Sequence, residues 1–142
     1  MPESDSDADC PFCAIVAGEA PASVVFEDGR SIAFLDVEPA NPGHALVVPR
    51  AHAAGLADLP EPTGGHLFRV GMRVAAALRA ELDPDGVNLF LADGEAAGQE
   101  VFHVHLHVLP RHEDDGVTVE RPPATTDRAE LDEVAASLRG QL

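Results

Sequence analysis

The chain has 142 residues and is 45% hydrophobic, enough for one ordinary domain core and short of two. No apolar run approaches the ~20 residues that span a bilayer, and Met1 to Asp9 is acidic rather than basic-then-apolar, so a soluble, intracellular protein is expected. The 25 acidic residues face nine basic ones, all Arg, for a net charge of −16; a surface that must neutralise duplex phosphates is therefore excluded.

The same balance, with 4% aromatic residues and no Lys, is the composition of a soluble protein of a salty cytoplasm. Carboxylates hold water and repel neighbouring molecules, while molar salt shortens the Debye length to ~3 Å and relieves self-repulsion. The melting temperature is expected to rise with KCl well beyond the range in which pairwise screening is complete. Equal melting in dilute buffer and molar KCl would overturn this reading.

In chain order, residues 1–9 read as a disordered acidic tail and 10–142 as one domain. Phe12 to Ala17 fits one helical turn ending near Gly18. Val24 to Phe26 and Ser31 to Leu35 are β-like runs joined by Glu27-Asp28-Gly29-Arg30, a hairpin signal. Asn41-Pro42-Gly43 turns the chain into His44 to Pro49, a buried strand. Leu67, Val70, Val74, Ala77, Leu78 and Leu82 have helical spacing that Asp83-Pro84 ends. Val87 to Leu91 is a strand, Asp93 to Gln99 a Gly- and Ala-rich loop, and His103 to Leu109 the last strand. Asp127 to Glu130 resembles a capping box before Leu131, Val134, Ala135 and Leu138, a terminal amphipathic helix. The order predicts an α+β fold with an antiparallel sheet, one long helix and a C-terminal helix.

His103, His105 and His107 alternate with Val104, Leu106 and Val108, so on a strand the imidazoles share one face and the aliphatic residues bury the other. Incidental histidines on a solvated strand, a single three-His metal centre and separate tasks along a polyphosphate are the three readings. At ~3.4 Å per residue the outer pair lie ~13–14 Å apart at the backbone, whereas Zn–N bonds are ~2.0–2.1 Å, so one metal hardly takes all three. Separate tasks fit without strain. Cys10 and Cys13, the only C-x-x-C pair, suggest half of a zinc site in a reducing compartment.

The His103–Leu109 run, Gly98-Gln99-Glu100-Val101-Phe102 before it, Pro42-Gly43-His44, Leu46 to His52 and Phe34-Leu35-Asp36 together resemble the histidine-triad superfamily, over roughly Cys10 to Arg111. The resemblance implies a nucleotide hydrolase, either a nucleoside phosphoramidase or a dinucleoside polyphosphate hydrolase. In it His105 attacks the α-phosphorus to form a nucleotidyl-histidine, and His107 donates to a phosphoryl oxygen or the leaving group. A neutral imidazole, with a reference pKa of ~6.5, attacks phosphorus without a separate base.

By the same resemblance Asp36 accepts the ribose hydroxyls, Phe34 and Val37 wall the base, and Gln99, Asp93 and the Gly94–Gln99 amides face the phosphates. Asp93 stands where many members have Asn, and Glu100 where the phosphoramidase branch has Ser. Some members resemble a Cys10, Cys13, His52, His103 set closing a structural zinc site. A purine nucleotide substrate and a homodimer are implied by analogy, with no nucleic-acid or membrane partner and no organic cofactor. A nucleotide-binding regulatory module with negligible turnover is the alternative from another class. Uridylyl transfer is disfavoured because His107 occupies the Gln position of that branch.

Overall fold

The computed structural model describes residues 9–118 and 123–142, so the predicted tail 1–9, except Asp9, lies outside the described residues. Helix α1 (Pro11–Val16) starts where the Cys10 Sγ accepts the Cys13 amide at 3.3 Å. Pro11 costs it nothing, since a first-turn amide has no helical acceptor.

Strands β1 (Val24–Glu27) and β2 (Ser31–Leu35) form the predicted hairpin. Its turn is closed by Asp28, whose Oδ1 accepts from the Arg30 and Ser31 amides at 2.9 and 2.8 Å. The Arg30 amide leads the donors that hold this carboxyl well below the usual carboxylate range.

Strand β3 (Ala45–Pro49) is buried throughout. Gly43, just before it, has φ +96°, a conformation strained for any other residue, and a Cβ there would also push aside the end of the Leu82 side chain, whose Cδ1 it would meet at 2.6 Å. Helix α2 (Glu61–Leu82) ends at Asp83 in the left-handed conformation, with Pro84 beyond it preventing continuation. Strands β4 (Gly86–Phe90) and β5 (Leu106–Arg111) complete a sheet of order β1-β2-β3-β5-β4, antiparallel at every junction. Helix α3 (Arg128–Arg139) is capped by Asp127 Oδ1 on the Glu130 amide at 2.8 Å.

Alternation divides the sheet into two faces. Ala33, Ala45, Val47, Val104, Leu106 and Val108 pack on Leu67, Val70 and Val74 of α2. Ile32, Phe34, Leu46 and Val48 pack on Cys10 and Phe12 at α1. The aliphatic half of the triad therefore sits under the long helix, as its alternation predicts.

The last strand begins three residues later than the sequence predicts, at Leu106 rather than His103. Its pairing with β3 ends at Val47↔Leu106. Continuing the register would bring in Pro49, which has no amide hydrogen to give. The Val104 amide donates instead to the Ala53 carbonyl at 2.8 Å, and this departure from the ladder frees His103 for other partners. Among the described residues no helix is long and apolar enough to cross a membrane.

Candidate active site and metal centre

A cavity of about 740 Å³ lies between α1, the end of β2 and the β4–β5 connection. Phe12, Phe34, Asp36, Val37, Glu100, His105 and His107 all line it. Phe34 is buried against Phe12, edge-on at 5.4 Å, and Val37 is 90% exposed on the rim. Asp36 is fixed at both ends: its amide donates to the His44 carbonyl at 2.9 Å, and its Oδ1 accepts the Glu38 amide at 2.9 Å. The other carboxylate oxygen lies 3.7 Å from His44 Nε2.

Backbone groups assign a tautomer to each imidazole. The His103 Nε2–H donates to the Pro49 carbonyl at 2.8 Å, leaving Nδ1 with the lone pair. In His105 the order is reversed: Nδ1–H donates to the His103 carbonyl at 2.8 Å, leaving Nε2 unprotonated. His44 Nδ1 accepts the Ala40 amide at 3.1 Å, so Nε2 carries the proton and donates to His107 Nδ1 at 2.9 Å. That leaves His107 with its proton on Nε2. The two cavity imidazoles are thus an acceptor, His105, and a donor, His107, with ring centres 4.9 Å apart.

Burial, the largest influence, holds His105 below the ordinary histidine range against the opposing pull of the His103 carbonyl, Asp36 and Glu100. Burial lowers His44 too, against Asp36. His107 is pushed down to about 4, first by burial and then by His105 and His44. A depressed histidine pKa means that the unfolded chain takes up the proton first, from about 6.5 downward. The stability carried by neutral His107 is full above that value and is lost as pH falls toward about 4. Denaturant titrations between pH 7.5 and 5 are expected to show a steeper acid loss for the parent chain than for His107→Asn; parallel curves would contradict the burial argument.

Asp36, His44 and His107 also place three potential ligand atoms within 4.8 Å of one another. The Ala40 amide argues against a cation there. It occupies the lone pair of His44 Nδ1, so the proton sits on the nitrogen that would have to bind metal.

Cys10, Cys13, His52 and His103 are different. His103 Nδ1 lies 3.3 Å from Cys10 Sγ and 3.6 Å from Cys13 Sγ, and His52 Nδ1 lies 3.3 Å from Cys13 Sγ. With Zn–S of ~2.3 Å and Zn–N of ~2.0–2.1 Å, tetrahedral S and N ligands lie about 3.5 Å apart. Cys10 is buried and Cys13 half-buried, and His103 is fully buried with its outer nitrogen held by a carbonyl, the arrangement that orients a metal-ligating imidazole. The four donors fit a closed tetrahedral ion.

Two residues expected at the phosphates face elsewhere. Gln99 is buried, and its amide accepts from the Gly94 amide at 2.7 Å and donates to the Ala54 and Val101 carbonyls at 2.7 and 3.0 Å, which shapes the loop from within. Asp93 Oδ1 accepts the Leu56 amide at 3.0 Å. Within the loop the Ala97, Gly98 and Gln99 amides donate to loop carbonyls. Conversely, sequence reasoning gave no task to His44, Phe12 or Phe90, all of which touch the cavity histidines. His44 had a signal, since it is a histidine immediately before a buried strand in a motif already singled out.

A HIT domain matches residues 17–114. An uncharacterized HIT-like protein of Mycobacterium tuberculosis is 46% identical over 110 residues, covering 78% of this chain and 76% of the relative. The adenosine 5'-monophosphoramidase HNT1 of Saccharomyces cerevisiae is 36% identical over 137 residues, covering 96% of this chain and 84% of the relative. The crystal structure of a Zn-bound histidine triad family protein from Mycobacterium smegmatis superposes with a TM-score of 0.76 at 41% identity, over 96% of this chain and all of that one. With matched motifs, matched fold and a domain match over most of its length, this chain belongs to the histidine-triad (HIT) family.

Proposed function

We propose that the chain is a nucleotide hydrolase acting at the α-phosphate through a nucleotidyl-histidine on His105. The observation that carries this is the His105 Nδ1–H bond to the His103 carbonyl, which leaves an unprotonated nitrogen on an imidazole that lines the cavity. Depression of its pKa by burial keeps that lone pair free at neutral pH. The yeast relative, named for its action on adenosine 5'-monophosphoramidate, supports a P–N substrate, and the wall of Phe12, Phe34 and Val37 supports a nucleotide base, a purine by analogy.

In the first step the Nε2 lone pair of His105 forms the N–P bond and the substrate P–N bond breaks. An anionic phosphoryl group beside His107 raises that imidazole's basicity. In the complex it takes a proton from solvent and passes it to the departing nitrogen, which leaves as a neutral amine. Water then forms the P–O bond as the P–N bond to His105 breaks, and its proton goes to the vacated Nε2 of His107, giving the nucleoside monophosphate and restoring both imidazoles. Incubation with adenosine 5'-phosphoramidate followed by alkaline quenching is expected to trap one adenylyl group per chain on His105. Turnover without any adduct would overturn the nucleotidyl-histidine, and binding with neither turnover nor adduct would leave the regulatory-module reading in place.

Asp36 is the proposed ribose acceptor. Asp36→Asn is expected to weaken ribonucleotides more than 2′-deoxy analogues, by roughly fivefold or more, since a carboxylate accepts two hydroxyl donors and an amide accepts fewer. Titration of both sugars by calorimetry checks this, and equal losses would make Asp36 structural.

We further propose that Cys10, Cys13, His52 and His103 hold a structural zinc ion. The zinc-bound mycobacterial relative supports it. When bound, such an ion supplies cross-linking rather than chemistry, tying α1 to the segment that leads through His105 into β5.

A further inference from the structure

The rings of His44, His105 and Phe90 lie against His107, and of these only His44 is a hydrogen-bond partner. The His44 bond at 2.9 Å draws Nδ1 to one side, but a single hydrogen bond is a soft restraint on the two side-chain torsions that set the ring. Its Nε2–H would then sweep an arc through the cavity. The second constraint is Phe90, the last residue of β4, which is the register partner of His107 across the β4–β5 ladder. The two rings lie face to face, with centres 4.2 Å apart and planes only 7° from parallel. The Phe12–His105 contact, by contrast, is edge-on at 5.2 Å and 83°, so parallel stacking is specific to the donor imidazole.

Phe90 is 41% exposed and lines the cavity in a chain with six Phe and neither Tyr nor Trp. Packing in the core does not account for an aromatic ring there, because Phe90 belongs to neither hydrophobic cluster. Cross-strand aromatic contact with His107 does.

We propose that Phe90 is a positioning residue for proton delivery: its ring sets the plane of His107, and with it the direction in which the Nε2–H meets the leaving group. The inference rests on the reading of His107 as the leaving-group donor. Phe90 touches no reacting atom; it acts through the imidazole. Its effect must therefore scale with how badly the leaving group needs a proton.

The full chain, Phe90→Leu and Phe90→Tyr are compared in single turnover on two adenosine 5'-phosphate derivatives. One carries an alkylamine, which departs only when protonated, and the other carries 4-nitrophenol, which departs as a stable anion. In Phe90→Leu the rate of adduct formation from the alkylamine substrate is expected to fall about tenfold or more, ~1.4 kcal/mol, with the 4-nitrophenyl rate within about twofold. Phe90→Tyr keeps the ring and is expected to restore both. Proton NMR gives an independent readout: the His107 ring protons lie under the Phe90 face, and their ring-current shift is expected to vanish in Phe90→Leu and persist in Phe90→Tyr. Equal slowing on both substrates, no slowing, or an unchanged ring-current shift would overturn the inference while the nucleotidyl-histidine reading stands. Failure of the parent chain to form an adduct from either substrate would instead overturn that reading, and the inference with it.

Discussion

His105→Gly is expected to reduce nucleotide hydrolysis to background and remove the covalent adduct with it, while nucleotide affinity stays within about tenfold, ~1.4 kcal/mol. The asymmetry comes from where the residues stand. Phe12, Phe34 and Val37 form the wall and Asp36 the proposed sugar contact, so the ground state loses little when the imidazole goes. The transition state loses the atom that makes the new bond, and neighbouring His107 cannot replace it because its cavity-side nitrogen carries a proton. His107→Ala is expected to be milder on substrates with good leaving groups. Rapid-quench kinetics with calorimetric binding separates the two effects, and near-normal turnover in His105→Gly would end the mechanism.

The second large effect belongs to residues that do not touch the nucleotide. Metal analysis of the purified chain is expected to give about one zinc per molecule. Cys13→Ser is expected to lower Tm by about 10 °C or more, since 1 kcal/mol is worth ~2–8 °C in a domain of this size. Cys10 and His103 are 93 residues apart, so a cross-link between them removes a long loop from the unfolded ensemble, and ligation of a structural ion is itself folding free energy. Chelation followed by circular dichroism gives the sign: a structural ion leaves with the fold, whereas a catalytic ion would leave a folded, inactive protein. Metal-free protein from metal-replete preparation, with Cys13→Ser melting unchanged, would refute the site.

Period and turn chemistry made most of this fold legible in the sequence. Asp28-Gly29 predicts the first hairpin, the spacing from Leu67 to Leu82 predicts α2, and Asp83-Pro84 predicts its end, although the helix already begins at Glu61, ahead of that spacing. The beginning of β5 was not legible, because alternation reports which face a side chain takes and says nothing about whether the neighbouring strand can still donate; Pro49, distant in the sequence, decided that. In the candidate site the Cys and His quartet comes together as the resemblance implies. Gln99 and Asp93 show the opposite limit, since their side-chain types suit phosphate contact and loop construction equally, and only the partners tell them apart. Phe90 was invisible for a related reason: register, rather than residue type, sets it over His107.

The tautomers of the triad depend on main-chain atoms: the Pro49 and His103 carbonyls, and the Ala40 amide acting through His44. Side-chain substitution leaves the carbonyls in place, and only proline at position 40 would delete the amide. Three identical side chains are therefore set apart by the path of the chain, and only the setting of His107 depends on another side chain, that of His44. Drift can rewrite the cavity wall, the surface charge and the loop before the triad, and the division of labour survives wherever the backbone keeps its course and His44 its place. Such a scaffold can exchange one leaving group for another without rebuilding the imidazole on which we place the covalent step.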